Sequence, residues 1–199
     1  GESVTDFLVR RVAEECARRR CIGRNFGMDT TGQETLADVI SARIGAGVNR
    51  ESFAAAASDD QVSVKDKRKG KKAFKDRVTE LWHLVSLYGR EGHIRGLSPA
   101  AVTEFTARKW ILLPDGRRQA QKKAIVRAVL GRSPDNADSK SILLATVRKR
   151  LGLIPGSRLS GANLSDERRK KLALDFQKLL PHNARSKVKA LPFTTHALH

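Results

Sequence analysis

The sequence is poor in the residues that would staple, stack or span. Only Cys16 and Cys21 among its 199 residues are cysteines, too few for a disulfide framework, and a reducing, intracellular setting fits that count. Aromatic residues make up 5% of the chain, which argues against an affinity built mainly on stacking bases against exposed rings. No apolar run approaches the ~20 residues that a membrane-spanning helix needs. The N-terminal stretch has no signal-peptide core. Phe7–Arg20 is Arg-rich and amphipathic, as organellar transit peptides are, but Asp6, Glu14 and Glu15 oppose that reading because such peptides are acid-poor.

Acidic residues are the other shortage. Asp and Glu number 21 against 39 Lys and Arg, a formal net charge of +18. A hydrophobic fraction of 40% is enough to bury a core, so the chain reads as a folded basic protein and not as a disordered basic tail. Self-repulsion makes such an imbalance costly, and a polyanionic partner offsets it. The excess is uneven. Residues 1–62 carry eight basic and ten acidic side chains, whereas residues 63–199 carry thirty-one and eleven. The expected organisation is a near-neutral helical part over 1–62, suited to protein contacts or self-association, a basic linker over 63–73, a basic helical domain over 74–180 and a basic tail over 181–199.

Helical periodicity dominates, and the expected fold is mainly α, a bundle of about seven helices with little or no sheet. Ser3 and Asp6 resemble a capping box for a helix from Val4, with Val4, Leu8, Val12 and Cys16 on one face. A second helix starts near Thr31 and Glu34 and stops at Gly45. Asn49 suits the cap of a short helix over Arg50–Ala57. Ser58–Gly70 reads as a mobile linker. Phe74, Val78, Leu81, Val85 and Tyr88 then repeat at the spacing of a buried helical seam. Ser98 with Pro99 marks another start, and Leu113–Gly116 a turn. Further helices are expected over Arg117–Leu130, with Ile125, Val129 and Leu130 inward, over Ser139–Leu151, and from Ser165 to the proline at 181. Trp110–Leu113 is the one stretch that could be a short strand.

A catalytic site needs a nucleophile, a base and a stabiliser at workable spacing. His83, His93, His182, His196 and His199 are scattered, and the two cysteines are followed by no histidine pair with zinc-ligand spacing. The glycines at 45 and 47 lack the Gly-Lys-Ser/Thr ending of a phosphate loop. No cluster of carboxylates of the kind a metal-dependent nuclease uses is visible along the chain. The expectation is a protein that is not an enzyme, with no metal and no cofactor.

Three basic groups stand out as candidate nucleic-acid contacts. The first is Lys65, Lys67, Arg68, Lys69, Lys71, Lys72 and Lys75, dense enough to track phosphates without reading sequence, and equally the pattern of a nuclear localisation signal. The second is Arg148, Lys149 and Arg150 with Arg158. The third is Arg168, Arg169, Lys170 and Lys171, with Arg117, Arg118, Lys122 and Lys123 extending the surface. Phe74, Tyr88, Phe105 and Phe176 sit on apolar faces and read as core; Trp82, His83, Trp110 and Phe193 are less committed.

The wording KKAIVRAVLG, then SKSILLATVRKRLGL, then LSDERRKKLALDFQKLL, within Arg117–Leu180, resembles the DEK C-terminal domain family, a small winged-helix-like DNA-binding module. The resemblance covers about a third of the chain. It implies a core of Val147, Leu151, Leu164, Leu172 and Phe176, with Arg148, Arg150, Arg168 and Lys171 near DNA. Taken together, the sequence leads to the expectation of a non-enzymatic nucleic-acid-binding protein that grips phosphates of DNA or RNA within a larger nucleoprotein, such as an organellar ribosome or a viral nucleocapsid. A helical interaction scaffold is the alternative of another class.

Overall fold

Local capping chemistry sets two helix starts, at Ser3 and Ser98, where the sequence places them, and a third at Asp76, inside the stretch that the seam from Phe74 assigns to one helix. In the computed structural model, which describes residues 1–94 and 96–157, the Ser3 hydroxyl accepts from Asp6 N at the head of α1 (Val4–Arg18). Asp76 accepts from Thr79 N at the head of α4 (Arg77–Arg90), and Ser98 from Ala101 N at the head of α5 (Pro99–Ala107), with Pro99 in its first turn. The other helices are α2 (Glu34–Ile44), α3 (Gly70–Ala73), α6 (Lys123–Leu130) and α7 (Asp135–Leu151).

Among the described residues there are seven helices, so the mainly helical expectation holds, but two small sheets accompany them. Strand β1 (Gly27–Asp29) pairs in parallel with β2 (Asn49–Glu51), Gly27 opposite Asn49. Strand β3 (Trp110–Leu112) pairs antiparallel with β4 (Arg118–Ala120), Trp110 opposite Ala120 and Leu112 opposite Arg118. The expected helix over Arg50–Ala57 is therefore absent. Asn49 and Glu51 are buried, and their side chains join a polar layer that a surface helix could not reach. Likewise, the expected helix over Arg117–Leu130 divides into β4 and α6, because the 118–120 backbone completes the hairpin and Ala120 N donates to Thr79 Oγ1 at 2.9 Å.

The core runs along α4. Leu81, Leu84 and Tyr88 pack against Ala145 of α7, with Phe53, Leu87, Ile94, Leu144 and Leu153 around them. Phe74 is fully buried with Ala57, Val62 and Ala73, just before α4 begins. Trp82 meets Phe105 of α5 edge-on at 5.1 Å, donates its indole N–H to Asp138 at 3.0 Å, and lies under the Arg108 guanidinium at 4.5 Å. Glu104 ties α5 to the head of α7. Burial pushes its pKa up, yet donation from Asn136, Ala137 N and Arg132 holds the carboxyl below its ordinary value. Two faces are not where periodicity places them. Val4 and Leu8 of α1 are exposed while Val9 is buried; on α6, Ile125 and Val129 are exposed while Val126 is buried.

The expected linker is also corrected. Val62 N donates to Arg68 O and Gly70 N to Asp60 O, so 60–70 folds back on itself as an ordered turn between two buried ends, Val62 and Ala73. Gly70 is there for closeness, not for mobility: a Cβ would stand 2.8 Å from both Glu80 Oε1 and Ser58 O. Residues 1–157 form one compact unit, with no domain break at residue 62. Within that unit lies an ionic layer. Arg77 Nε donates to Glu51 Oε2 at 2.8 Å, and its Nη1 stands 2.8 Å from Glu80 Oε2 as an ion pair outside hydrogen-bond angles. Glu80 also accepts from Ser58 N at 2.7 Å and from Ser58 Oγ at 2.6 Å. No helix among the described residues is long and apolar enough to cross a membrane.

Candidate nucleic-acid interface

The hairpin, the outer face of α4 and the 62–66 turn surround a cleft of about 730 Å³. Its floor is His83. Burial, and then the Arg118 and Arg90 charges, push the imidazole down to about 4. A neutral ring follows at neutral pH, and Arg118 Nη1 sits 3.1 Å from its Nε2, which is therefore placed to accept. The ring packs 5.0 Å from Phe74 on one side and edge-on against Trp110 at 5.6 Å on the other. Trp110, Ile111 and Leu112 are 39%, 49% and 72% exposed, three consecutive apolar side chains on the rim. Lys65, Arg90 and Arg118 supply cations around the same opening; Asp66 and Glu91 are the acids there.

The acids are partly spoken for. Asp66 takes Arg68 in a fork, Nε at 2.9 Å and Nη2 at 2.7 Å, and its carboxyl is held low by that pair. Lys65 lies 3.9 Å from Glu91 and remains largely exposed. Phe74 bridges to Arg118, and Lys75 N donates to Arg118 O at 2.9 Å, so the basic run and the hairpin meet along one edge. An approaching anion thus meets fixed cations beside an apolar ledge.

The structure sorts the sequence candidates sharply. Lys67, Lys72 and Lys75 are exposed and make no ion pair among the described residues, whereas Lys69 and Lys71 both face Asp59. Arg117 folds onto Asp115, Lys122 is exposed, and Lys123 donates to Asp138 at 2.6 Å. Arg148 is a correction. It is buried, with a guanidinium nitrogen donating to the Gln61 carbonyl, so it braces the 60–70 turn and does not present charge to a partner. Lys149 is exposed and Arg150 half-buried. Arg158, Arg168, Arg169, Lys170 and Lys171, like Leu164, Leu172 and Phe176, lie outside the described residues; Val147 and Leu151 are half-buried. His83, Arg90 and Trp110 were not candidates. The signal that could have found the last is the apolar run Trp110–Leu113 directly before a Pro-Asp-Gly turn, which reads as an exposed hairpin.

Comparison with known proteins yields no matching family model and no matching curated protein. Among solved structures, the chain is similar to the large terminase subunit fragment gp2C of bacteriophage Sf6 with calcium, at 12% identity and a TM-score of 0.47, over 72% of this chain and 73% of that one. It is similar to the nuclease domain of the same phage subunit with manganese at the same identity, TM-score and share of this chain, and over 74% of that chain. The neighbours are nuclease domains, and the expectation of a non-enzymatic binder is withdrawn on that finding. Its ground was weak in any case, since spacing along the chain does not reveal what folding gathers: Glu51 and Glu80 share Arg77 across two elements. At this TM-score the likeness transfers no reaction. Among the described residues no three His, Cys, Asp or Glu side chains gather as metal ligands, and no catalytic step is assigned.

Proposed function

We propose that this chain is the strand-gripping domain of a DNA-handling protein, with the cleft over His83 as its contact surface. The observation that carries this reading is the convergence of exposed Trp110, Ile111 and Leu112 with Lys65, Arg90 and Arg118 around one opening. Phosphates suit the cations and an unstacked base suits the Trp110 ring, a combination that favours single strands or frayed ends over intact duplex. Arg118 gains from the neutral His83 beneath it, because a charged imidazole there would repel it.

Titration of the full chain with a fluorescently labelled oligonucleotide tests the proposal. The expected result is tighter binding of single-stranded DNA than of blunt duplex, with affinity falling steeply as salt rises. Binding unchanged by Trp110→Ala and Arg118→Gln together would remove the cleft from consideration. Sampling the same mixtures over time with magnesium or manganese present separates gripping from cutting.

A further inference from the structure

The end of α1 carries a device that the cleft does not use. Helix α1 closes in a Schellman turn: Cys21 N donates to Cys16 O at 2.7 Å and Arg20 N to Ala17 O at 3.1 Å. Arg20 occupies the left-handed position with φ of +54°, where glycine is usual. This turn brings the side chain of the residue after the left-handed position against the side chain five positions earlier. In most proteins those two side chains make an apolar contact. Here both are cysteines, and they are the only two in the chain.

From this geometry we infer that Cys16 and Cys21 form a reversible disulfide that fastens the C-terminus of α1. The inference does not rest on the nucleic-acid reading. Both thiols are free in this structure; Cys16 is buried beside Phe26, and Cys21 is half-exposed. Burial, with Cys21 next to it, pushes the Cys16 thiol up to about 11. Cys21, being the more exposed of the two, is the sulfur an oxidant reaches first. Hydrogen peroxide converts the Cys21 thiol to a sulfenic acid and releases water. The Cys16 sulfur then displaces the sulfenic hydroxyl, which leaves with the Cys16 proton as a second water. Two thiols and one peroxide become one disulfide and two waters.

Closure would hold Arg20 in its left-handed conformation and tie α1 to the segment that leads into β1. In the reduced state that junction is free to fray, as helix ends do. The pair therefore couples oxidation to the rigidity of the α1 end, on the near-neutral part of the chain.

The arginines at 18, 19 and 20 make the test direct, because trypsin cuts between the two cysteines. Reduced full-length protein is treated with hydrogen peroxide, the remaining thiols are alkylated, and the digest is read by mass spectrometry. The expected product is a pair of peptides joined by one disulfide, from a chain that stays monomeric on a non-reducing gel. Amide exchange at residues 19 to 21 should slow on oxidation and recover with reductant. In Cys16→Ala, Cys21 should instead accumulate as sulfenic acid, trapped by a dimedone probe. In Cys21→Ser, the Cys16 thiol should stay alkylatable after the same treatment. Two alkylatable thiols surviving in the oxidised wild-type chain, or a cross-link found only between chains, would overturn the inference.

Discussion

Arg77 and Arg118 stand on neighbouring parts of the fold and do opposite work. Arg77 opens α4 between two buried carboxylates, Glu51 and Glu80, and its charge is consumed there. Arg118 stands on the hairpin at the mouth of the cleft, over an uncharged His83, with its charge directed outward. The contrast teaches that density of positive charge along a chain does not show which cations are available. Arg77, Arg108 and Arg148 build the fold, while Lys65, Arg90 and Arg118 are left to meet a partner.

The largest effect expected is on the buried side. Arg77→Met leaves Glu51 and Glu80 without their shared cation and should cost roughly 3–5 kcal/mol of stability in urea denaturation. A loss below about 1 kcal/mol would show that the layer is not held by charge. On the cleft side, Trp110→Ala should weaken single-strand binding by roughly 1–3 kcal/mol, on the order of tenfold to a hundredfold. Its melting temperature should stay close to wild type, since the ring is 39% exposed. Equal loss of binding and stability would erase the distinction between the two regions.

A smaller effect concerns pH. His83 has its folded-state pKa pushed below the ordinary 6.5, to about 4. The unfolded chain therefore binds the proton more readily, and the histidine's contribution to stability is complete above about pH 6.5 and declines as pH falls towards 4. His83→Gln should flatten that part of the stability profile, read by thermal melts across the window. Smaller still, Arg118→Gln should reduce the slope of log affinity against log salt by about 1, with binding weakened evenly across sequences. Arg117→Gln, removing a cation already folded onto Asp115, should leave that slope closer to wild type.

Two helix starts were legible in the sequence because caps are local chemistry: Ser3 and Ser98 each reach a backbone N–H three residues on, as Asp76 also does at the head of α4, a cap masked by the apolar spacing that begins at Phe74. The seam of α4 was legible for the same reason. What failed depends on distant partners. Residues 49–51 are a strand because residues 27–29 lie beside them, and nothing local announces that pairing. The basic run reads as a linker because its lysines stand out in sequence, whereas its buried ends, Val62 and Ala73, are ordinary apolar residues. Of the cleft, the cations Lys65 and Arg118 could be named in advance. Trp110 had only the apolar run before the Pro-Asp-Gly turn to mark it and His83 had no mark, because only the packing of the hairpin against α4 brings the two together.

Gly70 carries a consequence for how this chain can change over generations. Its lysine neighbours at 67, 69, 71 and 72 all project to the surface, and replacing any of them alters charge without disturbing packing. At Gly70 even a methyl group meets the Glu80 carboxylate and the Ser58 carbonyl. The charged arm is thus free to drift in composition while its position is fixed by one small residue. Variation in this segment should accordingly tune how strongly the protein attracts a polyanion and leave unaltered where the attraction is applied.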